Sequence, residues 1–163
     1  ADQTCIDAIV DNGCFVLPSM YVLLKVSQLE GNHFGFETKL RAFNMMCENI
    51  PKFVNADVKL VPGDDFGLWQ LPHGTYAEEL VCYAEHAGVS PLELIKWGTF
   101  YGGQMSGLNN LGKVEAGYIA DLLVVNGDPS KDISVLTDPK AIQCVIKDGQ
   151  LISGNLSESK AAA

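Results

Sequence analysis

Two short apolar runs, Cys14-Phe-Val-Leu17 and Val58-Lys-Leu-Val61, constrain the fold more than any other feature of this chain. Runs this brief suit strands buried on both faces, as in parallel sheets, and Pro18 stops the first because it cannot continue a hydrogen-bonded ladder. Ahead of it, residues 4–12 place Ile6, Ile9 and Val10 at helical spacing, with Thr4 as the expected cap and Gly13 where a helix-ending glycine belongs. Gly31-Asn-His-Phe-Gly35 marks a loop, and residues 36–55 predict a helix interrupted or ended near Pro51. Helix and strand therefore alternate, which is the α/β pattern. The second run delivers an acidic residue, Asp65, straight into the loop Gly63-Asp-Asp-Phe-Gly67. In a parallel barrel, residues at the carboxyl ends of strands carry the chemistry.

Residues 75–86 read as a helix with Leu80, Val81, Tyr83 and Ala84 inward and Gly88 as its stop. Ser90-Pro-Leu-Glu93 then has the form of a capping box with proline at the first helical position, opening a helix that runs to about Met105. After Gly107 helical spacing gives way to short strands and turns. Leu122-Leu-Val-Val125 is a strand, Gly127-Asp-Pro129 a turn, and residues 141–146 and 150–152 form a hairpin across Asp148-Gly149, a pair suited to a type I′ turn. The division expected is 1–110, 111–153 and a patternless tail at 154–163. So few strands make no stable sheet alone and call for partners from elsewhere.

A formal charge of −9 argues against nucleic acid or anionic lipid as a partner, since both demand clustered Lys and Arg. No apolar run approaches the roughly 20 residues of a membrane span, and the amino end lacks the zones of a signal peptide, so a cytoplasmic location is expected. The five cysteines are widely spaced among mostly apolar neighbours, unlike a disulfide framework or a paired zinc motif.

Gly112-Lys-Val-Glu-Ala-Gly117, Ala120-Asp-Leu-Leu-Val-Val-Asn-Gly-Asp-Pro129, Asp132-Ile133 and Val145-Ile-Lys-Asp-Gly149, together with the Asp65 loop, resemble the carboxyl-terminal portion of the metal-dependent amidohydrolase superfamily, in its imidazolonepropionase-like or prolidase-like subgroup. The resemblance implies the last part of a TIM-like (β/α)8 barrel plus part of a small β-sandwich. Residues 14–17 would be barrel strand seven, residues 58–61 strand eight, and residues 111–153 the returning half of the sandwich. By the same comparison Asp65 takes the family's place as metal ligand and as acceptor of the proton of an activated water. The cofactor implied is a divalent metal, zinc foremost, and the substrate a small molecule with an amide, urea, carbamate or peptide-like C–N bond. His73, in Pro72-His73-Gly74 followed by Glu79-Leu80, would touch substrate or brace Asp65. Phe66 and Trp69 would wall the mouth of the site. The family's His-x-His pair, its bridging Lys or Glu and its two later histidines have no counterpart here.

Other chemistry-bearing residues have plainer readings. His33 sits in a glycine-bounded loop without a second ligand at metal spacing, and His86 falls in the last turn of a helix, where a cation suits the dipole. Asp64 rivals Asp65, but Phe66-Gly67 favours Asp65, leaving Asp64 outward or supporting. Trp97, Phe100 and Tyr101 read as packing, and Asp121, Asp128 and Asp132 as strand-start, turn and helix-start residues. The leading expectation is a C–N hydrolase whose other metal ligands are absent from this chain, and the partner expected is a second copy in a homo-oligomer or the missing barrel portion. The alternatives are a non-catalytic fragment or scaffold, and one chain of a split enzyme.

Overall fold

The computed structural model describes residues 1–29 and 36–155. The loop expected at residues 31–35, His33 within it, and residues 156–163 of the expected tail lie outside the described residues.

The first helix, α1 (Gln3–Asp11), is capped by Asp2 rather than Thr4: the Asp2 carboxylate accepts from Cys5 N at 2.9 Å. Asp2 is the last extended residue, φ −85° and ψ 168°, so its side chain reaches back over the first turn, whereas Thr4 is already helical. Gly13 turns the chain at φ +61°. Strand β1 (Phe15–Val16) then pairs in parallel with β2 (Lys59–Leu60), in the register Phe15↔Lys59 and Val16↔Leu60. Val61 N extends the ladder to Val16 O at 3.0 Å.

The described parts of the connection between these strands are mainly helical. Helix α2 (Met20–Ser27) went unmarked in the sequence, and α3 (Phe36–Asn55) runs through Pro51 instead of breaking there. Proline removes one donor, but Ile50 and Phe53 beside it are buried in the core, and that burial carries the helix across the gap. Helix α4 (Tyr76–Ala87) ends at Gly88, φ +65°. Its buried positions are Glu79, Cys82, Tyr83 and Ala87, while Leu80, Val81 and Ala84 are only partly buried.

Helix α5 (Pro91–Lys96) starts with half a capping box. Ser90 accepts from Glu93 N, but the Glu93 carboxylate turns forward to Trp97 Nε1 at 2.9 Å and Lys96 Nζ at 3.3 Å. The segment widens into a π-turn at Trp97–Tyr101 before closing in α6 (Gly102–Met105). A three-stranded antiparallel sheet follows, ordered β3 (Leu122–Val125), β4 (Ile142–Lys147), β5 (Gln150–Gly154). Asp148 and Gly149 both have positive φ, +50° and +75°, the signature of the type I′ turn expected there.

One core runs from Ile6 of α1 through Met20, Ile50, Leu60, Tyr83 and Trp97 to Ile133, which lies in a 3₁₀ turn (Ile133–Thr137) between β3 and β4. The architecture is α/β, as expected. Among the described residues the parallel strands are two and do not close a barrel, because no described strand pairs with their outer edges. Every residue of β5 is exposed.

Candidate functional site

The loop that leaves β2 is held by groups far away in sequence. Gly63 N donates to the Glu79 carboxylate at 3.0 Å, and Gly63 O accepts from the Ser19 hydroxyl at 3.0 Å. The Asp64 carboxylate accepts from Val22 N at 2.7 Å and from Asp65 N at 2.9 Å. Asp64 thus caps the N-terminus of α2, whose own preceding residue, Ser19, makes no side-chain cap. Of the two placements expected for Asp64, outward or supporting, the structure has the supporting one: it is half-buried and aimed at backbone amides. Burial raises its carboxyl above the ordinary range, and the Val22 and Asp65 amides offset part of that.

Asp65 itself is exposed, and its carboxylate makes no hydrogen bond among the described residues. Beyond it Gly67 N donates to Leu71 O at 2.8 Å, which folds the chain into a tight turn. Gly67 sits at φ +111°, a conformation side-chain-bearing residues rarely adopt, and a Cβ there would lie 3.0 Å from His73 Nε2. The imidazole therefore packs directly against the turn. Its Nδ1 also lies 3.0 Å from the Tyr76 hydroxyl.

Phe66 packs edge-on against Tyr76, with ring centroids 4.7 Å apart, and lies 6.5 Å from the Tyr21 ring. Phe66 and His73, with Asp64, Tyr76 and Glu79, line one open cavity of about 630 Å³ whose far wall is Leu80, Leu123 and Leu136. Neither Asp65 nor Trp69 lines that cavity; Trp69 projects into solvent at 78% exposure.

Glu79 is the residue that sequence reasoning left without a role. It is 2% exposed, and one oxygen accepts from both Gly63 N and the Tyr83 hydroxyl, the latter at 2.9 Å. Burial pushes its carboxyl up to about 7, against the two donated hydrogen bonds, which pull it down, and the nearby Asp64 charge, which adds to the rise. Its signal was present: Glu79 and Tyr83 stand one turn apart on the inward face of α4, and an acid there demands a donor.

The remaining candidates do structural work. Trp97 is fully buried edge-on to Tyr83, and the exposed His86 packs against Phe43. Asp128 and Asp132 accept from the amides of Ser130 and Ser134, while Asp121 accepts from Asp148 N and Lys147 Nζ, tying the hairpin turn to the start of β3. Among the described residues no group of three or more His, Cys, Asp or Glu side chains is arranged to hold a metal. A catalytic zinc takes roughly three protein ligands, so the described residues do not by themselves make such a site.

A profile of the amidohydrolase family matches residues 68–152. Ochratoxinase from Aspergillus niger is 34% identical over 105 residues, covering 62% of this chain and 21% of that protein. The crystal structure of the A. niger ochratoxinase superposes with a TM-score of 0.81 at 25% identity, over 94% of this chain and 35% of that one. A Xaa-Pro dipeptidase with bound methionine in its active site superposes with a TM-score of 0.80 at 28% identity, over 94% of this chain and 38% of that one. The chain thus spans about a fifth of the curated relatives' length.

Proposed function

Because this chain belongs to the amidohydrolase family, we propose that it is one part of a hydrolase that cleaves a C–N bond of an amide, carbamate, urea or peptide-like small molecule. The observation that carries this reading is Asp65: an exposed carboxylate, without a hydrogen bond among the described residues, on a loop whose backbone is held at Gly63 and again at Gly67. A carboxylate at a strand's end is placed to accept a proton from attacking water. A divalent metal, zinc foremost, would supply acidification of that water and polarisation of the carbonyl, with its other ligands coming from outside this chain. Phe66 and His73, braced on Tyr76, give the neighbouring wall its apolar and imidazole character, and Trp69 stands free to meet a substrate or a further segment.

The test is Asp65→Asn in the full-length protein, assayed on Xaa-Pro dipeptides such as Met-Pro, the bond type named for one structural relative. Loss of a general base lowers turnover by about 10²–10⁴-fold, with the amide variant still folded. Turnover equal to that of the unmodified protein removes Asp65 from the chemistry. The full exposure of β5 favours a second reading, a scaffold whose strand edges associate with another polypeptide. A monomeric 163-residue chain in size-exclusion with light scattering would count against it.

A further inference from the structure

We propose that Glu79 and Ser19 form a positioning clamp on Gly63 that sets where Asp65 stands, an inference resting on the reading of Asp65 given above. Both polar groups of the Gly63 peptide are taken by side chains from separate elements: its N–H by Glu79 on α4, its carbonyl by Ser19 at the mouth of α2. Glycine has more backbone freedom to lose than any other residue, so a loop entered through Gly63 would swing unless held.

Ser19 shows that the arrangement is built. It adopts φ 49° and ψ 49°, a left-handed conformation unfavourable for a residue with a Cβ, and it gives no cap to the helix it precedes. Asp64 supplies that cap instead, on Val22 N, while Ser19 turns its hydroxyl to Gly63 O. The exchange ties the loop to α2 in both directions. Glu79 ties it to α4, and Tyr83 holds the Glu79 oxygen in place from one turn further on. A carboxylate almost wholly removed from solvent is retained here for a backbone amide two residues before Asp65.

The lever is short. From Gly63 to Asp65 the chain reaches at most about 7 Å, so a small rotation at Gly63 moves the Asp65 carboxylate by about 1 Å. Misplacement by that amount is worth on the order of 10²-fold in rate.

The experiment uses the full-length protein with Glu79→Leu, which removes the acceptor, and Glu79→Gln, which keeps an oxygen in its place. Amide hydrogen exchange is read at residues 62–66 and, as control, across β4 and β5, alongside kcat and KM for Met-Pro hydrolysis. Glu79→Leu is expected to speed exchange at Gly63 by about tenfold, the ratio set by one ordinary hydrogen bond. It is expected to leave the hairpin unchanged and to lower kcat on the order of 100-fold with KM held, as for an interaction realised in the transition state. Glu79→Gln restores both. Unchanged Gly63 exchange, or equal acceleration in the hairpin, overturns the clamp. If Glu79→Leu does not fold, Ser19→Ala, which removes only the hydroxyl donated to Gly63 O, takes its place, with exchange read at residues 64–66 and the same loss of kcat at held KM expected; unchanged exchange and unchanged kcat overturn the clamp. Asp65→Asn at full turnover beside a loosened Gly63 refutes the Asp65 reading, whereas inactive Asp65→Asn beside a rigid Gly63 refutes the clamp alone.

Discussion

Gly112→Ala tests how the segment after α6 is fastened to the helical body. Gly112 has φ +87°, and an added Cβ would lie 2.2 Å from Thr99 O and 2.8 Å from Thr99 C. Both atoms belong to the backbone of the π-turn, so neither can rotate away. The contact is reciprocal, since a Cβ on Gly103 would lie 2.4 Å from Leu111 O. Gly117 is the control: its φ is +90°, but nothing stands within 4 Å of its missing Cβ. The three alanine variants therefore separate two effects. Gly117→Ala carries only the left-handed backbone penalty, about 1–2 kcal/mol. Gly103→Ala carries only overpacking, about 1–3 kcal/mol, offset by up to ~1 kcal/mol of helix propensity. Gly112→Ala carries both, about 2–5 kcal/mol.

The measurement is urea unfolding of each variant with linear extrapolation, compared at a common slope. The order expected is Gly112→Ala worst by a clear margin over Gly117→Ala. If the two cost the same, the residue 111–112 segment does not press on the π-turn, and the packing argument fails. The outcome bears on function because this contact positions the start of the segment leading to β3, whose Leu123 walls the cavity beside Phe66 and His73.

Glu79 makes stability depend on pH. Its carboxyl is raised from 4.5 to about 7, so the stabilisation is complete below about pH 4.5 and is lost as pH rises through about 7. At ~1.4 kcal/mol per pH unit the interval amounts to roughly 3 kcal/mol, and Glu79→Gln should gain on the unmodified protein by up to that much between pH 5 and 8. Urea midpoints at three pH values decide it, a constant difference being the refuting result. Asp64→Ala should cost α2 its cap, about 1 kcal/mol, and speed amide exchange at Val22, whereas Asp64→Asn should retain most of the protection. Equal exchange at Val22 in all three proteins would show that the Asp64 contact holds nothing.

Local signals carried much of the fold. Residues 14–17 and 58–61 announced a parallel pair, and Asp148-Gly149 announced its turn through a backbone conformation that few dipeptides accept. The π-turn escaped because Ser90-Pro-Leu-Glu93 predicts where a helix begins and says nothing of its pitch. Glu93 had a competing partner: the indole N–H of Trp97, one turn on, took the carboxylate that a capping box would have sent backwards.

Helix α2 and the clamp escaped for one shared reason. Met20-Tyr-Val-Leu-Leu-Lys-Val-Ser27 follows a serine, an ordinary capping residue, but Ser19 makes no cap; the cap comes from Asp64, 42 positions beyond Val22, across the parallel pairing of β1 with β2. Local pattern reports a helix start when the cap is a neighbour in sequence; here the cap becomes a neighbour only after the strands have paired. The same pairing brings Gly63 to Ser19 and faces it with Glu79. The place of Asp65 beyond the end of β2 was legible, since a strand, a glycine and a carboxylate follow one another along the chain. What holds Asp65 still was not, since Ser19, Asp64 and Glu79 converge on one loop only in the folded molecule. It follows that substitutions at Ser19 or Glu79 act on Asp65 without touching it, a coupling that the spacing of motifs along the chain does not contain.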